Sequence, residues 1–224
     1  EFIIVIGVLL FIAAAIMLSQ GSRKIPVQYA RKVVGRKVYG GSATHLPLKV
    51  NAAGVIPIIF ASSVMFIPTV IIGFLPAGAL QEFLNQAFQG GSVIYNLLFG
   101  TVIVFFAYFY TAVIFNPVDV ADNMKKYGGF IPGRRPGRQT SEYIDKVLTR
   151  ITLPGAIGLA LIAIIPVWFL RRLTGGTGVA YALGGTTLLI LVGVIIDTLQ
   201  QVESHLLMRH YDGFMKQGRI KGRR

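Results

Sequence analysis

Residues 51–74, NAAGVIPIIFASSVMFIPTVIIGF, carry no charged side chain and are long enough to cross a bilayer, since about 20 apolar residues span the hydrocarbon core. The stretch is nonetheless poorly suited to meeting lipid on every side. Pro57 and Pro68 each remove a backbone donor, which predicts kinks in a helix. Ala61, Ser62 and Ser63 place small and hydroxylated groups in mid-span. Such a segment either packs as a bent helix in a membrane bundle or lines a wet path, and the stretch alone leaves both readings open.

The rest of the chain has the same character. Of its 224 residues, 54% are hydrophobic and only 14% charged, with a mean hydropathy of +0.65, a balance that belongs to membrane proteins rather than soluble domains. Apolar spans are predicted at 1–19, 51–75, 93–117, 151–170 and 179–201. Between them lie a polar segment at 20–50, a loop at 76–92, a polar segment at 118–150 and a short loop at 171–178, with a tail at 202–224. Glu1 runs directly into an apolar stretch with no signal-peptide n-region before it, which reads as a piece of a longer protein cut before a transmembrane helix. Without cysteine there is no disulfide framework, thiolate nucleophile or thiolate metal site.

The charges are sorted by side. Five spans put 20–50, 118–150 and the tail on one face, which then carries 20 of the 22 basic residues and leaves Arg171 and Arg172 on the other. By the positive-inside rule the basic face, with the C-terminus, is cytoplasmic. Setting topology needs only a few cations beside the helix ends. Here many sit further out. Residues 25–34 and 43–50 are β-branched and aromatic runs around Gly35, Gly40 and Gly41, which predicts a β-hairpin with a basic tip. Pro26 and Pro47 keep its strands short or at an edge. In GGFIPGRRPGRQT, residues 128–140, proline and glycine forbid a helix and force an ordered turn that aims Arg134 and Arg135. Tyr29, Tyr39 and Tyr127 offer stacking surfaces. Cations on protruding loops suit a phosphate backbone such as RNA or an acidic partner surface. Anionic lipid headgroups are the other candidate, though cations beside the helix ends serve them better.

Little in the chain suggests catalysis or a cofactor. His45, His205 and His210 fall in no ligand pattern. Ser62 and Ser63 lack a nearby base in sequence and are expected to bond to their own backbone or to pack as small residues. The 128–137 turn lacks the GK[ST] ending of a phosphate loop. Asp197 is the one acid inside a span. It reads either as a structural pairing near the cytoplasmic end or as an ion-coupling site.

Three stretches carry a family resemblance. HLPLKVNAAGVIPIIFASS (45–63), YTAVIFNPVDVADNMKKYGGFIPGRRPGRQTSEYIDKVLTRITLPGA (110–156) and GGTTLLILVGVIIDTLQQVESHLL (184–207) resemble, in order and spacing, the SecY family of protein-translocation channels. The resemblance covers nearly the whole chain and identifies its spans with the sixth to tenth helices of a bacterial-type member. It implies an all-α membrane fold: five transmembrane helices forming one half of a ten-helix pseudo-symmetric channel, with a cytoplasmic β-hairpin-like loop. By motif position, Ile59 and Ile190 would belong to the apolar ring that seals the pore. A narrow apolar constriction blocks ions by dewetting and yields to a sliding polypeptide. The 51–75 helix would form one side of the lateral gate, with Asn51, Pro57, Ala61, Ser62 and Ser63 at the seam. Arg36 and Lys37 at the hairpin tip, and Arg134, Arg135 and Arg138 in the second loop, would dock the ribosome, through rRNA at its tunnel exit, or the SecA motor ATPase. Arg135 matches the family's functionally sensitive arginine. Further implied partners are SecE- and SecG-type subunits, the N-terminal half of the same protein, signal sequences and nascent polypeptide, and the lipid of the bacterial plasma membrane. The resemblance implies no enzyme activity and no cofactor. The alternative is half of a secondary transporter with Asp197 as coupling site, which would require several polar groups at mid-membrane and helices broken at matched positions.

Overall fold

The computed structural model describes residues 2–29, 32–34, 37–39, 43–89, 91–174 and 184–217, with the backbone alone at 32–34, 37–39, 43, 173, 174 and 209–217. Five helices are long and apolar enough to cross a membrane: α1 (Phe2–Gln20), α2 (Ile56–Gly73), α4 (Val93–Ile114), α6 (Arg138–Thr174) and α7 (Gly185–Gln217). Two short helices, α3 (Ala79–Phe88) and α5 (Pro117–Lys126), flank α4 in sequence. Five strands complete the described elements: β1 (Ser22–Tyr29), β2 (Lys32–Val34), β3 (Lys37–Tyr39), β4 (Ala43–Lys49) and β5 (Gly129–Phe130).

The hub is α6, which packs against α1, α2, α4, α5 and α7. Its 37 residues make a rod of about 55 Å at 1.5 Å per residue, far longer than the ~30 Å hydrocarbon layer. Its first turns therefore stand outside the apolar zone. The spans share one core, in which Ile58, Ala61 and Met65 of α2 meet Phe99 and Ile103 of α4, Leu159 and Ala163 of α6, and Leu189 and Val192 of α7. At Gly185 the first turn of α7 lies directly on the α6 backbone. A Cβ there would collide with the carbonyl oxygen of Ile162, so glycine is what permits the close approach.

Several sequence expectations need correction. The second span is not helical from Asn51. Residues 51–55 form turns, and α2 begins at Ile56. Pro57 therefore sits in the first turn, where its missing N–H has no partner to lose, and it starts the helix rather than kinking it. Only Pro68 lies inside α2. The 76–92 loop contains α3. The 118–150 segment is largely helical, because α5 fills its start and α6 begins at Arg138, leaving a turn at 131–137. The signal for α5 stands in the sequence: Asn116 at the N-cap, Pro117 at the first position, Asp119 in the first turn and Lys125 and Lys126 in the last. The Asn116 side chain accepts from the Val118 N–H at 3.1 Å and donates to Asp119 Oδ2 at 2.8 Å. Of the fifth span, residues 179–183 lie outside the described residues. Its helix continues through Gln217 into the expected tail.

The predicted hairpin is present as β1 against β4, antiparallel from Ser22↔Lys49 to Gln28↔Ala43, with β2 and β3 pairing beyond it. It has gained a third strand. β5 pairs with β1 at Gln28↔Phe130 and Tyr29↔Gly129, so the sheet order is β4-β1-β5. Pro47 lies on edge strand β4, and Pro26 lies where β5 does not reach, as a missing donor requires. The two basic segments thus fold as one body. Ile25, Val27 and Leu48 of the sheet share a core with Met124, Ile131, Ile144, Val147 and Ile151. Burying each such side chain contributes roughly 1.5–3 kcal/mol, which outweighs the ~0.2–1 kcal/mol scale of surface charge interactions.

Candidate functional site

Two surfaces carry the residues singled out in the sequence. The first is the side of α2 that the bundle leaves open. Pro57, Ile58, Ala61, Met65 and Ile72 form the buried stripe at helical spacing. Ile59, Ser62 and Ser63 face outward. Ala61 is fully buried in the core, so it parts from its two neighbours. The Ser62 and Ser63 hydroxyls both donate to the Ile59 carbonyl, at 2.8 and 2.9 Å, the back-bonding expected of serines in a span. Asn51 lies before the helix and is half-buried.

Ile59 is 44% exposed and Ile190 of α7 is 37% exposed, although the residues just before them, Ile58 and Leu189, are buried at 1% and 2%. Helix geometry puts the two isoleucines at similar depths. α2 starts, and the membrane part of α7 ends, at the side of the bundle that bears the sheet, so the two run in opposite directions. Val55 and Gly193 fix their register, since a Cβ on the glycine would lie 3.4 Å from Val55 Cγ1. Away from the sheet, Ile59 is four residues beyond Val55 and Ile190 three before Gly193. At 1.5 Å per residue these are about 6 and 4.5 Å. Two apolar side chains from different helices therefore share one layer. On the sheet side of that layer opens a 310 Å³ cavity lined by residues 51–56 and by Lys49, Tyr110, Asp197 and Gln200. Asp197 is exposed into it and makes no ion pair with a described residue.

The second surface is the platform of joined basic segments. Gly133 and Gly137, at φ +79° and +108°, make the left-handed corners of the 131–137 turn. The turn is held by the Arg134 N–H donating to the Ile131 carbonyl at 3.1 Å, and by Thr140 Oγ1 donating to the Arg135 carbonyl at 2.9 Å. The three arginines then differ. The Arg134 guanidinium lies 4.5 Å from the Tyr143 ring centroid. Arg138 Nε donates to Glu142 Oε1 at 2.9 Å in an exposed i,i+4 pair. The Arg135 side chain is exposed and has no hydrogen-bond or ion-pair partner among the described residues. Arg36 lies outside the described residues, and of Lys37 only the backbone is described, opposite Val34. Of the tyrosines offered for stacking, Tyr29 is half-buried. It packs on the loop core and against Gly129. Tyr127 is 78% exposed, and the Tyr39 side chain lies outside the description.

Sequence reasoning did not single out Tyr143, Val55 or Gly193. A glycine in an apolar span is a signal of close helix contact, and Gly193 carries that signal. Nothing local to Tyr143 marked it.

A family model described as SecY matches residues 1–199. Among curated relatives, the chain is 47% identical over 225 residues to the protein translocase subunit SecY of Thermotoga maritima, covering 100% of this chain and 50% of that protein. It is 48% identical over 216 residues to the same-named subunit of Mycobacterium bovis, covering 93% of this chain and 49% of that one. The chain thus spans about half the length of the curated relatives it matches. Two solved structures share the fold. One, concerned with the plug domain of the SecY protein and the closed translocation channel, has a TM-score of 0.54 at 16% identity, covering 89% of this chain and 49% of that one. The other, a protein-conducting channel, has a TM-score of 0.52 at 14% identity, covering 89% and 48%.

Proposed function

The chain belongs to the SecY family, and we propose from that premise that it is the C-terminal half of the central subunit of a protein-conducting channel. In this reading it translocates secretory polypeptides across the bacterial plasma membrane and releases membrane segments sideways into lipid. The N-terminal half of the same protein closes the other side of the pore, and SecE- and SecG-type subunits complete the complex. No step requires a catalytic residue; the driving force comes from the ribosome or from SecA.

The observation that carries the proposal is the shared layer of Ile59 and Ile190. Each is exposed beside a buried neighbour, on separate helices, and the Val55–Gly193 approach with the helix rise supports similar depths for the two. A ring of such side chains, completed by the other half, is too apolar to hold a water column and offers a moving chain nothing to bind. Ser62 and Ser63 lie on the same open side of α2 and would form the lateral seam, with Pro57 and Ala61 anchoring the helix behind it and Asn51 at its mouth. The sheet platform faces the cytoplasm and offers Arg135 to rRNA phosphate or to an acidic surface of SecA, with Arg36, Lys37, Arg134 and Arg138 around it.

The test is conductance of the full-length protein in its complex in planar bilayers. Ile59→Ser combined with Ile190→Ser should raise the ion leak of the resting channel. Leu191→Ser, an exposed residue beside the ring position, should not. An unchanged leak in the double variant would contradict the ring assignment.

A further inference from the structure

We propose that the cavity at the end of the spans opposite the sheet binds the phosphodiester headgroup of an anionic glycerophospholipid. It is built where α3, the start of α4 and the last turns of α6 come together. Its volume is 450 Å³, and it is lined by Gln86, Gln89, Ser92, Trp168, Arg171 and Arg172, with no acidic residue among the described lining.

The chemistry of these groups fits one ligand class. The exposed Arg172 guanidinium supplies the fork that phosphate oxygens accept, and Arg171, held against the Gly91 loop, adds a second positive charge beside it. Two carboxamides and a hydroxyl add neutral donors for ester oxygens or headgroup hydroxyls. Arg172 stacks on Trp168, with its guanidinium carbon 5.3 Å from the ring centroid. Arg171 is seated against Gly91, which stands at φ +122°, and a Cβ at that glycine would meet the guanidinium. The loop is thus shaped to admit the arginine. Among the described residues these are the only two cations on this face of the bundle, so topology alone does not call for them here; the positive-inside rule places cations on the opposite face.

The surroundings favour a lipid over a free anion. Val93 and Ile94 at the start of α4 are 79% and 55% exposed, so a phosphate in the cavity would have an apolar wall beside it for acyl chains. On α3, Leu80 and Phe83 are 64% and 63% exposed, while Glu82 and Gln86 are polar. This amphipathic pattern suits a helix lying in the headgroup plane. Trp168 lies near the end of α6, and tryptophans favour the membrane interface.

The experiment uses the full-length protein in its complex, in phosphatidylcholine nanodiscs titrated with phosphatidylglycerol, with retained lipid counted by native mass spectrometry. Wild type should retain phosphatidylglycerol that Arg172→Gln binds roughly tenfold more weakly, the scale of one lost charge-assisted hydrogen bond. Because Arg171 also supports the Gly91 loop, Arg171→Lys is the second variant, which keeps charge but loses the fork and should weaken retention less. Equal retention by wild type and both variants, with the complex intact, would overturn the site. Thermal shifts in detergent separate the sources. Stabilisation by phosphatidylglycerol but not by inorganic phosphate or soluble glycerophosphoglycerol supports a lipid site. An equal shift from inorganic phosphate would overturn the lipid assignment.

Discussion

The Arg134 guanidinium stacks over the ring of Tyr143, 4.5 Å from its centroid, and Tyr143 itself packs against the core beneath the sheet. One of two adjacent arginines is thereby tied to the platform, while Arg135 is exposed and has no side-chain partner among the described residues. A cation–π contact at an exposed site contributes about 0.5–1 kcal/mol. Arg134→Ala should therefore lower the thermal stability of the platform slightly and Arg135→Ala should not. Reversing charge at Arg135 should leave membrane insertion intact and impair both translocation and ribosome or SecA binding. Normal translocation by Arg135→Glu would remove the docking assignment.

The pairing of β5 with β1 makes a mechanical prediction. Gln28 and Phe130 are antiparallel partners from two segments a hundred residues apart in sequence. Such partners have Cα atoms about 4.5–5.5 Å apart, within disulfide reach. Cysteines at both positions should crosslink readily on oxidation, and translocation should survive, because the two segments are already paired and share one core. Loss of activity on crosslinking, reversed by reductant, would mean that the β1–β5 pair opens during function.

Gly185 tests the packing of α7 on α6. Gly185→Ala places a methyl group against the Ile162 carbonyl, an overpacking that costs about 1–3 kcal/mol. A lower temperature of detergent-solubilised aggregation is expected. Gly73, with nothing within 4 Å of its Cβ position, should accept alanine without loss.

Asn116 caps α5 through its side chain. Asn116→Ala should cost about 1 kcal/mol and should be visible as faster hydrogen exchange in the first turn of α5. Asn116→Asp keeps the acceptor and should restore protection. Unchanged exchange in the alanine variant would show that tertiary packing of Ala121 and Met124 holds the helix alone.

Much of this was legible in the sequence, for identifiable reasons. Uninterrupted apolar runs marked five spans because a bilayer admits nothing else. The β-branched runs and glycines of 20–50 marked the hairpin. What escaped was decided by contacts distant in sequence or by position within an element. Pro57 is read as a kink only if the helix has already begun, and the helix begins one residue before it. Gly129 and Phe130 form a strand too short to carry a periodicity of its own. It exists because β1 has an open edge beside Gln28 and Tyr29. The depth match of Ile59 and Ile190 depends on the Val55–Gly193 contact, to which no spacing in the chain refers. In contrast, α5 was missed although its cap, proline and terminal charges are all local.

The most direct measurement is photocrosslinking from positions 59 and 190 of the full-length protein, in its assembled complex, to a stalled secretory polypeptide, with Phe105 of α4 as the outward-facing control (63% exposed). Crosslinks from 59 and 190 but not from 105 are the expected result, and would place the translocating chain at the shared isoleucine layer. Silence at both isoleucines, with the polypeptide demonstrably engaged, would contradict it and make them packing residues.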